Sequence, residues 1–170
     1  LEEAARAAEA AASLGISKVR ITGGEPLVRK GIVDLCRRIA GIPGIDEICI
    51  TTNGILLPGL ADPLRAAGVS RLNISLDTLD PDNYHRITRT GSLEEALAGI
   101  QAAKSAGFSP IKINVVLLAG ANEGEIPDFV DFARREGLQV RFIELMPFDE
   151  GPTGGRFLSC DAVLQALPGL

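Results

Sequence analysis

Apolar and polar residues alternate in four short segments of this chain, a fifth strand-like segment follows them, and helical periodicity fills the gaps between. Val19 and Ile21 oppose Arg20 and Thr22, and Ile48 and Ile50 oppose Cys49, Thr51 and Asn53. Leu72, Ile74 and Leu76 oppose Asn73, Ser75 and Asp77, and Ile111, Ile113 and Val115 oppose Lys112 and Asn114. Side chains alternate across a strand, so the pattern predicts strands over 18–22, 46–52, 70–76, 111–117 and 139–145. Helices are predicted over 1–14, 30–40, 58–67 and 123–136, with a last one starting near Ser159. Asp80 before Pro81 predicts a capped helical turn to about Thr88. Ser92-Leu93-Glu94-Glu95 predicts a capping box that opens a helix to Ala106. A Gly/Pro-rich loop covers Asp149 to Gly155. No linker divides the chain, which is expected to form a single domain over 1–170.

Strict βα alternation predicts an α/β fold with a parallel sheet, either doubly wound or a barrel. A doubly wound sheet is apolar on both faces; four strands here have one aliphatic and one polar face. A closed eight-stranded barrel fills its lumen with branched apolar residues. The polar face therefore predicts a wider or incomplete barrel with a ligand inside. Arg20, Lys112 and Arg141 fall within these strands, and buried cations are rare unless paired. Two readings stand: ion pairs with Asp77, Glu25 or Glu144, or an anionic ligand held by the cations.

Composition narrows the class. Aliphatic residues must build the core, because only 4% of residues are aromatic and there is no Trp. The net charge of −5 argues against bulk nucleic-acid binding. No apolar run is long enough to span a membrane. Cys36, Cys49 and Cys160 show neither a zinc-site spacing nor an even count. Cys36 and Cys49 are expected to be buried, and the usage fits a cytoplasmic protein. His85, beside Arg86, is expected at the surface. The chain starts at Leu1 inside a helix and is expected to be a piece of something longer.

The segment Arg20-Ile21-Thr22-Gly23-Gly24-Glu25-Pro26 carries the most chemistry. Two glycines after a strand let a ligand approach bare backbone. Glu25 adds negative charge and Pro26 has no N–H, so carbonyls and a carboxylate suit an ammonium better than a phosphate. A tight turn without a ligand is the alternative.

With that segment, Thr51-Thr52-Asn53-Gly54, Leu72-Asn73-Ile74-Ser75-Leu76-Asp77, Lys112-Ile113-Asn114-Val115-Val116 and Arg141-Phe142-Ile143-Glu144-Leu145-Met146-Pro147 follow in order. The ordered set resembles the radical S-adenosylmethionine (SAM) enzymes. Within them it is most similar to the GTP 3′,8-cyclase family of molybdenum cofactor biosynthesis, over nearly the whole chain. The resemblance implies a partial (βα)₆ TIM-like barrel, here lacking its first strand. It implies that Gly23, Gly24, Glu25, Ser75 and Met146 bind SAM, that Arg20, Thr51 and Lys112 hold GTP, and that Arg141 acts at the reacting nucleotide. The implied reaction is a lyase-type radical rearrangement joining C3′ of GTP to C8 of guanine. It also implies a homodimeric parent protein whose product goes to cyclic pyranopterin monophosphate synthase.

The family's two cysteine motifs for [4Fe-4S] clusters are not among Cys36, Cys49 and Cys160. No metal ligand is expected in this chain, and the piece alone is expected to be inactive. The other readings are a peptide-modifying radical SAM maturase, a non-catalytic nucleotide-binding or assembly domain, and a designed half-barrel without function. Ser75 bonding backbone, Thr51 as strand filler and Met146 as core packing are the plain alternatives for those residues.

Overall fold

The computed structural model describes residues 1–146 and 157–167. The fold is α/β, with five strands and seven α-helices among the described residues. In order these are α1 (Glu2–Ser13), β1 (Lys18–Ile21), α2 (Ile32–Ala40), β2 (Glu47–Thr52), α3 (Leu57–Ala66) and β3 (Arg71–Ser75). Then follow α4 (Pro81–Thr88), α5 (Leu93–Ser105), β4 (Ile111–Leu117), α6 (Ile126–Glu136), β5 (Gln139–Glu144) and α7 (Asp161–Ala166). The expected loop from Asp149 to Gly155 lies outside the described residues. Two compact units make up the chain: Leu1–Ile74 with Glu95–Ile111, and Ser75–Glu94 with Lys112–Leu170. Among the described residues, no helix is long and apolar enough to cross a membrane.

In the first unit β1 pairs in parallel with β2, and β2 with β3. Arg20 lies level with Cys49, and Thr51 with Asn73. One face carries Ile48, Ile50, Leu72 and Ile74, all buried. Ile100 and Ala103 of α5 and Cys36 and Ile39 of α2 are buried in the same unit. Burying each such aliphatic side chain contributes roughly 1.5–3 kcal/mol. The expected start of α2 at residue 30 is corrected: a turn of 3₁₀ helix, Pro26–Val28, and Gly31 precede it, and α2 begins at Ile32.

In the second unit β4 pairs in parallel with β5, with Lys112 level with Gln139 and Asn114 with Arg141. Burial alternates strictly along β4, Ile111, Ile113, Val115 and Leu117 being buried. Ile126, Phe129 and Phe132 form the buried stripe of α6. The Phe129 ring meets Phe142 edge-to-face at 6.2 Å, a contact that contributes about 1 kcal/mol beyond burial. The predicted α4 cap is present, the Asp80 carboxylate accepting from Asn83 N–H at 2.7 Å.

The polar faces depart from expectation in one respect. Cys49 and Asn73 are 5% and 2% exposed although they belong to the polar parity. Polarity of the side chain does not by itself predict exposure once neighbours close over it.

Candidate functional site

The loop after β1 is built to leave backbone bare. Gly23 has φ +153°, which L side chains rarely adopt, and a Cβ on Gly23 or Gly24 would meet nothing within 4 Å. The glycines therefore border open space and do not serve close packing. Behind them, Glu25 ties the loop to the end of β2. One carboxylate oxygen accepts from Leu27 N–H at 2.9 Å and from the Thr52 hydroxyl at 2.7 Å. The other accepts from Asn53 N–H at 2.7 Å. Most of its acceptor capacity is thus committed within the fold, so the carbonyls of Gly23 and Gly24 are the freer acceptors for a cation.

The Thr51-Thr52-Asn53-Gly54 turn is held from the other side by α5. Gly54 has φ +85°, and a Cβ on Gly99 of α5 would lie 2.0 Å from the Gly54 carbonyl oxygen. Only a glycine at 99 permits that approach. Gly54 N–H donates to the Thr52 hydroxyl, which fixes the turn.

The three strand cations are corrected in burial: Arg20 and Arg141 are exposed and Lys112 is half-buried. Arg20 and Lys112 sit on the polar parity of β1 and β4, and Arg141 shares its face of β5 with Gln139 and Ile143. The ion-pair reading fails for all three expected carboxylates. Glu25 is bonded as above, Asp77 accepts from Val116 N–H at 2.8 Å, and Glu144 accepts from Cys160 N–H at 2.8 Å. Among the described residues, Arg20, Lys112 and Arg141 form no salt bridge. Lys112 and Arg141 instead line one recess of about 390 Å³ with Gln139 and Val140. Arg20 lies beside Cys49, whose thiol burial pushes up against the pull of that guanidinium. Burial also lifts the carboxyl of Asp77 above its ordinary range, the Val116 N–H offsetting part of the effect.

Thr51 is half-buried and Ser75 exposed, and neither side chain has a hydrogen-bond partner among the described residues. Met146 is 66% exposed, so it is not core packing. The first unit thus carries Arg20, Gly23, Gly24, Glu25 and Thr51. The second carries Ser75, Lys112, Arg141 and Met146. Reasoning from sequence missed the role of Asn73, whose buried amide nitrogen has no partner among the described residues, and the bonding duties of Thr52, Asn122 and Glu125. A wider recess of about 810 Å³ lies between α1 and α2. Its lining mixes Glu2 and Glu9 with Arg6, Arg37 and Arg38, so it offers no single charge to a ligand.

Iron–sulfur clusters require converging thiolates, and the cysteines here do not converge. Cys36 and Cys49 are buried, the former thiol pushed up to about 11 by burial, and Cys160 is exposed. Among the described residues, no group of three or more His, Cys, Asp and Glu could hold a metal.

With this geometry in place, the comparisons with known proteins are decisive for class. The chain belongs to the radical SAM superfamily, whose model matches residues 1–133. It is 52% identical over its whole length to a GTP 3′,8-cyclase of Peptoclostridium acidaminophilum. It is 53% identical over 98% of its length to a GTP 3′,8-cyclase of Pseudomonas putida strain W619. The chain spans about half the length of these curated relatives, 53% and 51% respectively. Its fold is shared with the crystal structure of methylornithine synthase, at TM-score 0.69 and 16% identity, covering 98% of this chain and 51% of the other.

Proposed function

We propose that this chain is the portion of a GTP 3′,8-cyclase that carries subsites for SAM and GTP within a single radical SAM core domain. The family match runs across both compact units, which supports reading residues 1–170 as one partial (βα)₆ barrel lacking its first strand. The observation that carries the substrate is the set of unpaired cations. Arg20, Lys112 and Arg141 stand on β1, β4 and β5 with no carboxylate beside them. A cation left without a carboxylate in a net-acidic chain suits a polyanion.

In this reading Arg20, Thr51 and Lys112 hold GTP, and Arg141 stabilises the nucleotide at the reacting ring. Gly23 and Gly24 receive the SAM ammonium on their carbonyls, with the remaining acceptor capacity of Glu25. Ser75 offers its hydroxyl to SAM, and Met146 an apolar surface to adenine. SAM would supply the hydrogen-abstracting group at C3′ once a one-electron reductant outside this chain cleaves it. The protein's share is orientation and exclusion of water around the two ligands. Cys36, Cys49 and Cys160 do not fit a [4Fe-4S] cluster. Cytoplasmic residence, a homodimeric parent protein and delivery of the product to cyclic pyranopterin monophosphate synthase complete the proposal.

Calorimetric titration with GTP tests it. The wild-type chain should bind saturably, and Arg20→Ala and Lys112→Ala should each weaken binding about tenfold or more, as loss of a charge-assisted phosphate contact does. A folded wild-type chain that ignores GTP, or equal affinity in all three proteins, would remove the substrate assignment.

A further inference from the structure

The Glu25 arrangement occurs a second time, at a place the sequence did not single out. In the second unit one carboxylate oxygen of Glu125 accepts from the Thr78 hydroxyl at 2.6 Å, and the other from Leu79 N–H at 2.5 Å. Asp80 N–H donates to the Thr78 hydroxyl at 3.1 Å. Thr52, Asn53 and Gly54 are bonded in the same pattern, with Glu25 as the carboxylate. Asn83 strengthens the second clamp, its amide donating to Glu125, to the Thr78 hydroxyl and to Ala121 O.

The chain ahead of Thr78 is fixed as well. Leu76 N–H donates to Asn114 O, and Asn122 donates to both Asp77 O and Val116 O at 2.7 Å. Thr78, Asn83 and Asn122 are all 5% exposed or less. Ser75, by contrast, is exposed and its hydroxyl is unused by the described residues. The side chains of Asp77, Thr78 and Asp80 and the N–H groups of Leu76, Leu79 and Asp80 all hold the path of the chain, while the Ser75 hydroxyl has no partner among the described residues.

Glu125 itself has no salt-bridge partner among the described residues. A part-buried carboxylate without a cation is a poor device for stability alone, because its desolvation is offset only by hydrogen bonds. It is a good device for geometry, because two fixed acceptors place a hydroxyl and the next N–H together.

We propose that Glu125 is a positioning residue for the SAM subsite, fixing the segment behind Ser75 as Glu25 fixes the turn behind Gly23 and Gly24. The inference rests on the reading that Ser75 contacts SAM. Glu125→Gln places an NH₂ against a donor, and Thr78→Val keeps the shape while deleting the hydroxyl.

Calorimetry of the chain with SAM and, separately, with GTP reads the outcome. Both variants should lose at least about tenfold in SAM affinity, since small misplacements of a contacting group have effects of that order or larger. GTP affinity should stay within about threefold. The double variant should be no worse than the poorer single one, because the two side chains act as a unit. Unchanged SAM affinity, or equal losses for both ligands, would overturn the proposal. So would failure of both variants to fold, which would make the clamp a folding element. If the wild-type chain binds no SAM, the cofactor-site reading itself falls, a result distinct from intact binding in the variants.

Discussion

Gly99→Ala is expected to destabilise the first unit severely. The new Cβ would lie 2.0 Å from the Gly54 carbonyl oxygen, with the Gly54 carbonyl carbon at 2.8 Å. Both obstacles are backbone, so no rotamer change relieves them. α5 must move away from the Thr51–Gly54 turn, and Ala96, Ile100 and Ala103, all 0% exposed, must move with it. Overpacking of this severity costs roughly 3 kcal/mol or more. Urea denaturation should show the midpoint falling sharply, and Thr51 should lose its placement. A variant as stable as wild type would mean that the helix does not approach the turn this closely.

The second large effect is expected at Glu25. In Glu25→Ala three donors lose their acceptor together: Leu27 N–H, the Thr52 hydroxyl and Asn53 N–H. Thr52 is 2% exposed and Leu27 4%, so water replaces the carboxylate only in part. Unsatisfied buried donors cost about 1–3 kcal/mol each, discounted here for partial access to water, giving roughly 2–4 kcal/mol. The ligand readout separates two roles. If Glu25 only met the SAM ammonium, stability would be nearly unchanged and SAM affinity alone would fall. The bonded geometry predicts that both fall, measured by thermal denaturation and by calorimetry with SAM. A stable variant that loses only SAM would return Glu25 to a purely ligand-contacting role.

Much of this was legible in the chain itself. Period-two alternation located four of the five strands, most clearly β4, where Ile111, Ile113, Val115 and Leu117 are buried and the residues between them are not. The α4 cap was legible because Asp80, Pro81 and Asn83 lie together in sequence. What failed was long-range. Two partners of Glu25, Thr52 at the end of β2 and Asn53 just after it, are 27 and 28 residues away, so its local charge suggested only an ammonium. Glu125 meets Thr78 across 47 residues and carries no local signature at all. The cations were expected to be buried because a strand position implies a neighbour on each face. Which face the neighbours leave open is decided by elements far apart in sequence. Asn73 was visible as a polar residue in a strand, but that its buried amide nitrogen lacks a partner among the described residues follows only from the three-dimensional fold.

Two distinct subsites, one for SAM and one for GTP, are what we propose for this chain. Backbone and methyl chemical-shift mapping by NMR tests this most directly, with each ligand titrated alone. SAM is expected to move Gly23, Gly24, Ser75 and Met146, and GTP is expected to move Arg20, Thr51 and Lys112 with Arg141 beside them. Two ligands shifting one common set, or SAM leaving Gly23 and Gly24 untouched, would contradict the proposal.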